Sequence, residues 1–219
     1  MGRYIVCCGG SQAKWKNHLG VPSHLVPDLS GEPILHRTVR LLRERGVGDI
    51  VVMGPSEDSR YRIEGTGFEE GRPESMNEFW ASRHLWDSGS QTVLVLGDVW
   101  FTEYAMDVIT SGFEGLRFYG RRGANHLTGT PWGELFASSF WPEDQDLLDF
   151  HMSSSYRLFQ SGRAKRHIGW EILRSVQGQT NLSEHKVNSR WFVEINDLTD
   201  DLDFPIDYQR HPLFGKGDK

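Results

Sequence analysis

The 219-residue chain carries the stretch Val93-Leu94-Val95-Leu96-Gly97-Asp98-Val99. Its leading apolar residues predict a β-strand buried on both faces, as in a parallel sheet that helices cover. Asp98 follows directly, and open α/β sheets bind their ligands just beyond the carboxyl ends of such strands. Because an unpaired buried carboxylate is costly, Asp98 needs a cation, a set of donors or the edge of a cleft. The stretch therefore predicts an α/β fold with a ligand site at Asp98.

The preceding part of the chain reads as a strand, a helix and a second strand. Residues 4–8 form one apolar run, and residues 49–53 form another. Between them, Pro33 suits the first turn of a helix and Gly46 suits its C-terminal cap. This order predicts a βαβ unit with a right-handed crossover, and hence a mostly parallel central sheet.

The length of the chain suits one large α/β domain that spans residues 1–219. Strands and helices alternate cleanly over residues 1–110, whereas residues 111–219 are irregular, aromatic and polar. In many α/β enzymes the first kind of half binds a nucleotide and the second binds the other substrate. By that analogy we predict a nucleotide-binding half, 1–110, and an acceptor- or sugar-binding half, 111–219, which includes a late acidic segment.

Charge and cysteine content limit the classes of protein to which the chain belongs. The formal net charge of -6 argues against a polycation built for nucleic acid. Cys7 and Cys8 are the two cysteines, and adjacent cysteines cannot easily bridge each other, so buried thiols in a reducing compartment are expected. Since no signal peptide and no apolar segment of about 18 residues appears, we predict a cytoplasmic protein with no membrane partner.

A polar, glycine-containing loop follows the first strand at residues 9–20. Glycines at such a place let backbone amides approach an anion closely, and lysines neutralise phosphate. The spacing matches neither a Walker A loop nor the Gly-x-Gly-x-x-Gly fingerprint, so an ordinary strand-exit loop stays an alternative. If the loop binds a nucleotide, the candidate contacts are Gly9, Gly10, Ser11, Lys14, Trp15 and Asn17, with Trp15 either stacking on the ligand or packing in the protein.

Asp98 itself has two interpretations. Either it caps a helix or forms a turn, or it binds Mg²⁺ or Mn²⁺, which favour oxygen ligands and accompany phosphates. In the second case an acidic run over residues 194–208 supplies another carboxylate, although such a run is often only a solvated loop. Two carboxylates together with a diphosphate would hold a divalent cation that neither carboxylate holds alone.

A loop rich in Gly, Thr and Trp leads into a strand in the second half of the chain. Its Trp132 and Glu134 form the pair of side chains that sugars favour, because the ring packs on C–H faces and the carboxylate takes hydroxyls. Arg121 lies shortly before them and joins them as a candidate for sugar or acceptor binding. Packing and turn formation are the alternative for this group.

A basic stretch in this acidic chain includes Arg163, Lys165 and Arg166. It suits contact with a polyanion such as DNA, and it equally suits a solvated helix face. The histidines show no metal-binding spacing and no Gly-x-Ser-x-Gly motif occurs, so zinc and hydrolase interpretations have little support.

Three motifs, taken together, resemble those of the GT-A-like superfamily of nucleotidyltransferases and nucleotide-sugar glycosyltransferases. The first is a glycine-rich loop followed by Pro-Lys-x-Leu and Gly-x-Pro-(Leu/Ile)-(Leu/Ile), here Gly9-Gly10, Pro22-Ser23-His24-Leu25 and Gly31-Glu32-Pro33-Ile34-Leu35. The second is a buried strand that ends in Gly-Asp, here Gly97-Asp98. The third, Asp-(Ile/Val)-Asp-Thr-Pro-Glu-Asp-(Leu/Tyr), stands as Asp201-Leu202-Asp203-Phe204-Pro205-Ile206-Asp207-Tyr208.

The resemblance implies a GT-A-like (Rossmann-like) three-layer sandwich with Mg²⁺ or Mn²⁺ as cofactor. Asp98 would bind that metal on the diphosphate, with Asp203 as the second ligand, or else Asp197 or Asp201 in its place. Asp98 and Glu134 would be the catalytic side chains, with Glu134 acting as general base or orienting the sugar. The remaining nucleotide contacts would be His24, Asn77 and Gly97.

Departures from the superfamily's pattern bear on the reaction. Ser23 stands where the signature has Lys, and the usual Arg of the glycine-rich loop is missing unless Lys14 or Lys16 replaces it. Those cations stabilise the charge of a triphosphate during attack at its α-phosphorus. A glycosyltransferase needs them less, because it binds an existing nucleotide sugar, and the metal stabilises the diphosphate as it leaves.

We therefore predict a metal-dependent glycosyltransferase that moves a sugar from a nucleotide-diphosphate sugar, UDP-linked or other, to a hydroxyl. The chain also resembles small phage-type members of the superfamily, for which a hydroxymethylated DNA base is one acceptor and the host cytoplasm is the location. The first alternative is a sugar-phosphate or alcohol-phosphate nucleotidyltransferase, and the second is a non-catalytic homologue that binds nucleotide or DNA. The donor base, the sugar, the stereochemistry of transfer and the oligomeric state stay open.

Overall fold

The computed structural model describes residues 2–71, 77–179, 181 and 186–214. The first part of the chain forms β1 (Arg3–Cys7), α1 (Ile34–Glu44), β2 (Asp49–Gly54), β3 (Gly67–Glu70), α2 (Glu78–Ser82), β4 (Thr92–Leu96), β5 (Val99–Trp100) and α3 (Glu103–Thr110). The second part forms β6 (Arg117–Arg121), β7 (Glu134–Phe140), α4 (Gln145–Gln160), α5 (Gly169–Val176), β8 (Phe192–Glu194), β9 (Asp200–Asp201) and α6 (Pro205–Arg210).

Seven of these strands form a central sheet in the order β3-β2-β1-β4-β7-β6-β8. Neighbouring strands run parallel except at β7, which is antiparallel to both β4 and β6. The predicted α/β fold with a mostly parallel central sheet is therefore confirmed. The reversal at β7 is not visible in the hydrophobic pattern, because a buried apolar run carries no information about its direction.

Helices cover both faces of the sheet, and β1 illustrates how the sequence achieves this. Tyr4 and Val6 belong to a core cluster that includes residues of α1 and α3. Ile5 and Cys7 alternate with them and belong to a second cluster, with residues of α2, α4 and α5. Because successive side chains of a strand point to opposite faces, an unbroken apolar run gives a strand buried on both sides. The three-layer arrangement follows from this pattern.

The chain adds strands first on one side of β1 and then on the other, so the strand order changes direction between β1 and β4. From β1 it moves through β2 to β3 at one edge, and it then returns to the other side of β1 as β4. In open α/β sheets such a reversal leaves a crevice beyond the carboxyl ends of the two strands. Gly9 follows β1 and Asp98 follows β4, so both residues lie at that crevice.

A second, two-stranded sheet joins the acidic run to the segment of Asp98. In it β5 pairs with β9 in antiparallel fashion, with Val99 opposite Asp201. The Leu202 amide also donates a hydrogen bond to the Asp98 carbonyl at 2.9 Å. Leu202 and Trp100 are buried in a small apolar cluster that packs this sheet against the glycine-rich loop. Residues 201–203 therefore lie beside Asp98, although the two segments are far apart in the chain.

Gly97 allows the chain to leave β4 in close contact with β1. A Cβ at this position would lie 2.2 Å from the Cys8 Sγ and 3.0 Å from the Cys7 carbonyl oxygen. We expect Gly97→Ala to lower the free energy of unfolding by about 1–3 kcal/mol, the usual cost of overpacking a core. Gly48→Ala serves as the control in urea unfolding, since a Cβ there meets no atom within 4 Å. Equal stability of the two variants would contradict this close packing.

Within the described ranges, no helix is long and apolar enough to cross a membrane. The cytoplasmic location and the division of labour between residues 1–110 and 111–219 stay predictions from the sequence.

Candidate active site

A cavity of about 380 Å³ opens where the chain reverses across the sheet. Its wall combines the glycine-rich loop, the end of β4, the start of β7, the segment after β9 and the first residues of α2 and α5. The cavity brings together these predicted site residues: Gly9, Gly10, Ser11, Lys14, His24, Asn77, Asp98, Glu134 and Asp203. Their roles there stay predictions.

Carboxyl groups from three separate segments interact electrostatically in this cavity. Burial, and then the charge of Asp203, raise the pKa of Asp98 to about 7. Burial, followed by the charges of Asp203 and Asp200, raises the pKa of Glu134 to about 8. Burial and Glu134 together raise the pKa of Asp201 well above its usual range. Burial and the neighbouring carboxylates therefore both oppose the ionisation of these groups.

Lys14 supplies the positive charge nearest to this cluster. Its ammonium forms an ion pair with Asp203 and lies 5.2 Å from the centre of the Phe204 ring. Among the described residues that line the cavity, it is the only Lys or Arg. Lys16, the other candidate for the missing loop Arg, is exposed and lies outside the cavity wall. Of the two lysines, Lys14 is therefore the one placed to meet a ligand.

The described residues contain no group of three His, Cys, Asp or Glu side chains arranged as a ready-made metal site. The donors present nevertheless suit a hard divalent cation, because Mg²⁺ is usually held by one or two carboxylates together with substrate phosphates. Asp98, Asp201 and Asp203 all line the cavity and offer such carboxylates. Asp197 is engaged elsewhere, since its carboxylate accepts a hydrogen bond from the Thr102 hydroxyl at the start of α3.

Three of the predicted nucleotide contacts lie outside the cavity wall. Trp15 is 1% exposed, and its indole N–H donates to the Val21 carbonyl at 2.7 Å, so of its two predicted roles it takes packing. Asn17 is exposed, with a left-handed φ of 51°. Gly97 packs against β1, as described above. None of these positions lends support to direct contact with a nucleotide.

Asn77 anchors the start of α2 beside the cavity. Its side-chain oxygen accepts from the Trp80 amide at 3.0 Å and so caps the helix. Its Nδ2 lies 3.1 Å from the His167 Nδ1, and the His167 Nε2 lies 2.9 Å from the Ser155 hydroxyl. This buried network ties α2 to the segment that precedes α5. Both ends of the Asn77 side-chain amide are thus engaged within the protein.

The predicted sugar or acceptor residues occupy different places. Glu134 lines the cavity at the start of β7. Arg121 is 1% exposed, and its guanidinium donates to the Asp200 carboxylate at 3.0 Å. Trp132 is 48% exposed, with the Arg210 guanidinium 5.9 Å from its ring centre. Arg121 therefore serves an internal ion pair, and its position gives no support to sugar or acceptor contact.

The predicted DNA contacts Arg163, Lys165 and Arg166 are exposed between α4 and α5. The Arg166 Nε lies 3.9 Å from the Glu171 carboxylate. Exposure is compatible with both interpretations of this stretch, DNA contact and a solvated surface.

The cavity wall also includes side chains that were not among the predicted site residues, and the polar or aromatic ones include Gln12, Glu78 and Trp170. Glu78 is the first residue of α2, and burial raises its pKa above the ordinary value. Trp170 lies in the first turn of α5, in a region where no motif is recognisable. Glu78 and Trp170 come together only because α2 and α5 pack against the same crevice.

His24 is buried and is expected to stay neutral. Burial lowers its pKa to about 4, and its Nδ1 lies 3.0 Å from the Tyr61 hydroxyl. An unfolded chain protonates histidine at about pH 6.5, so folding stability falls as the pH drops from about 6.5 towards about 4. We expect the wild type to lose about 2 kcal/mol more than His24→Gln between about pH 7 and about pH 5, measured by urea unfolding. Equal losses would contradict a neutral, buried His24.

The chain is similar in fold to solved nucleotidyltransferase structures over nearly its whole length. A candidate glucose-1-phosphate thymidylyltransferase from Bacillus anthracis, in complex with sucrose, matches with a TM-score of 0.62 and 12% identity over 96% of this chain and 94% of that one. The inositol-1-phosphate CTP transferase from T. maritima matches with a TM-score of 0.60 and 12% identity over 94% and 91%. The CTP:phosphocholine cytidylyltransferase from Streptococcus pneumoniae gives 0.56 and 11% over 94% and 96%. No family model and no curated protein matches the chain.

At such low identity this likeness establishes the fold. The chain has an α/β fold like that of these nucleotidyltransferases. The three proteins are named as transferases of nucleotides rather than of sugars, and none of them is named for DNA.

Proposed function

We propose that the chain is a metal-dependent nucleotidyltransferase that joins a nucleotide from a nucleoside triphosphate to a phosphorylated sugar or alcohol. The observation that supports this most is the meeting of Asp98 and Asp203 in the cavity beside the glycine-rich loop, at the reversal point of the sheet. The similar structures point in the same direction, since they are named for glucose 1-phosphate, inositol 1-phosphate and phosphocholine.

Asp98 and Asp203 would hold Mg²⁺ or Mn²⁺, and Asp201 stays an alternative to Asp203. When bound, the cation supplies the positive charge that a triphosphate and a departing pyrophosphate require. The fit rests on the donor set, because Asp98, Asp201 and Asp203 line the cavity with the carboxylate oxygens that Mg²⁺ prefers, and their charges oppose one another's ionisation unless they are compensated. A divalent ion would supply that compensation.

The glycine-rich loop would bind the triphosphate. Gly9, Gly10 and Ser11 line the cavity, and the two glycines carry no side chain that would keep a phosphate from their backbone amides. An oxygen of the acceptor's phosphate would form a bond to the α-phosphorus, while the bond from that phosphorus to the bridging oxygen of the β-phosphate breaks and pyrophosphate leaves. Lys14 would exchange its partner Asp203 for a phosphate oxygen and stabilise the developing charge.

Glu134 would bind hydroxyl groups of the acceptor. An ionised acceptor phosphate carries no proton at its attacking oxygen, so this reaction requires no general base. The general-base role that the sequence predicts for Glu134 applies only if the acceptor is a hydroxyl group. Its place in the cavity wall at the start of β7, on a different segment from the loop, suits a group that orients the second substrate.

Glycosyl transfer from a nucleotide sugar is the second candidate. The observation that favours it is the shortage of cations, because Lys14 alone among the described lining residues carries positive charge and Asp203 already pairs with it. A diphosphate sugar carries less negative charge than a triphosphate. DNA as acceptor, and a non-catalytic nucleotide- or DNA-binding role, stay predictions from the sequence.

Pyrophosphate release distinguishes the two candidates. The full chain is incubated with Mg²⁺ or Mn²⁺, each of the common nucleoside triphosphates and a panel of sugar and alcohol phosphates. Nucleotidyl transfer predicts pyrophosphate only when both substrates and the metal are present. Consumption of a nucleotide sugar with release of nucleoside diphosphate, and no pyrophosphate from any triphosphate, would replace the proposal by glycosyl transfer.

A further inference from the structure

Ser23 and Gln12 form a contact that the proposed reaction leaves unexplained. Ser23 is 2% exposed and stands where the superfamily signature has Lys. Its backbone amide donates to the Gln12 Oε1 at 2.9 Å, and its hydroxyl donates to the same oxygen at 3.0 Å. In place of a cation, the position therefore holds a neighbouring side chain by two hydrogen bonds.

The backbone amide of Ser23 fixes which way the Gln12 amide group points. A backbone N–H can only donate, so the atom that faces it must be the carbonyl oxygen of Gln12 and not its NH₂ group. The Nε2 consequently points away from Ser23, and Gln12 is part of the cavity wall. In the described part of the chain, no acceptor is hydrogen-bonded to this Nε2. Its two donors are available to a ligand.

We infer that Gln12 binds the polyphosphate of a nucleoside triphosphate through its Nε2, with Ser23 as the residue that positions it. An amide NH₂ group offers donors only, and the oxygens of a polyphosphate are acceptors only. Gln12 lies two residues before Lys14, in the loop whose glycines open the backbone to phosphate. The inference rests on the proposed binding of a nucleotide in this cavity, and it is independent of the acceptor.

The charge balance of the cavity explains why a neutral donor is useful here. Among the described residues, five carboxyl groups and one lysine line the cavity, and Asp203 already pairs with that lysine. A further ammonium would be drawn to the remaining carboxylates, whereas a neutral amide held by Ser23 keeps its donors directed at the ligand. Gln12 thus adds a hydrogen-bond donor for the phosphates that is not lost to ion pairing with the carboxylates.

Binding of a triphosphate to Gln12→Glu tests the inference directly. The new carboxylate still offers an oxygen to both Ser23 donors, but it replaces the NH₂ group by a second acceptor. Calorimetry of the full chain with Mg²⁺ and the tightest binder among ATP, CTP, GTP, UTP and dTTP measures the effect. We expect affinity to fall roughly ten- to a hundredfold, the cost of losing a hydrogen bond to a charged partner.

Ser23→Ala, which removes one of the two positioning donors, should lower the triphosphate affinity roughly two- to tenfold.

Ala13→Glu is the matched control for the added charge. Ala13 is exposed on the same loop and lies outside the cavity wall, so its triphosphate affinity should stay within about twofold of the wild type. Thermal unfolding checks that each variant is folded. The parent nucleoside, which lacks phosphates, should bind the wild type and Gln12→Glu equally.

The outcomes separate this inference from the proposed function. Unchanged triphosphate affinity in Gln12→Glu, or an equal loss in Ala13→Glu, would overturn the role of the Nε2. An equal loss for the nucleoside would assign Gln12 to the base or ribose and would also overturn it. If the wild type binds none of the five triphosphates, the proposed function fails first, and the inference with it.

Discussion

Asp98→Asn should abolish pyrophosphate release while leaving the protein folded. The substitution keeps the shape of the side chain but removes the charge that would hold the metal, so we expect the rate to fall by roughly a thousandfold or more. Without metal, the variant should be more stable than the wild type by an amount that grows from about pH 4 and levels off above about pH 7, because burial and Asp203 raise the pKa of Asp98 from 3.8 to about 7. Lost activity together with gained stability is expected of a metal ligand and not of a structural residue.

Asp146→Asn is the matched control, since Asp146 is exposed on α4 and undergoes the same chemical change. Its pyrophosphate release and its thermal unfolding without metal should resemble those of the wild type. Full activity in Asp98→Asn would exclude Asp98 as a metal ligand. Reduced stability of Asp98→Asn at alkaline pH would show instead that its carboxylate supports the fold.

Asp200→Ala should destabilise the protein by about 3–5 kcal/mol, because it leaves a buried guanidinium without its partner. Asp200 is 2% exposed. Its carboxylate accepts from Arg121 at 3.0 Å and from the hydroxyls of Thr128 and Thr130. These contacts fix β9, which leads directly into the carboxylates of the cavity. The variant should therefore also lose activity at temperatures where it is still mostly folded.

Asp49→Ala is the comparison for this second substitution. It removes an ion pair in which the Arg3 Nε lies 2.9 Å from the Asp49 carboxylate. The pair is partly open to solvent, and such pairs contribute about 1 kcal/mol or less to the free energy of unfolding. Urea unfolding of both variants measures the difference. Similar stability losses for Asp200→Ala and Asp49→Ala would contradict a buried, essential ion pair at β9.

The sequence predicts the central sheet well where burial imposes a local pattern. The apolar runs around β1, β2 and β4 are expected from residues 4–8, 49–53 and 93–96. The pairing of β5 with β9 is invisible in the sequence, because two-residue strands carry no periodicity and their pairing joins distant segments. The strand β3, of sequence Gly-Phe-Glu-Glu, is also not predicted, because Phe68 is its one large apolar residue and no apolar run marks it.

The residues of the candidate site likewise fall into those that a local sequence pattern marks and those that depend on tertiary packing. Asp98 and the glycine-rich loop are recognisable because each follows a buried strand directly, so local pattern and position in the sheet coincide. Glu78 and Trp170 are not, since their places depend on how two helices pack against the crevice. Ser23 is instructive in another way. The sequence marks it only as a missing cation, whereas the structure gives it a hydrogen-bonding role towards Gln12.

The fate of a labelled α-phosphorus tests the central claim, nucleotidyl transfer at the cavity of Asp98, most directly. The wild-type chain is given a nucleoside triphosphate labelled at that atom, a sugar or alcohol phosphate and Mg²⁺ or Mn²⁺. We predict that the label appears in a product joined to the acceptor, together with an equal amount of unlabelled pyrophosphate, and that neither forms with Asp98→Asn. A label that stays in the triphosphate with every acceptor, while a nucleotide sugar is consumed instead, would contradict the account.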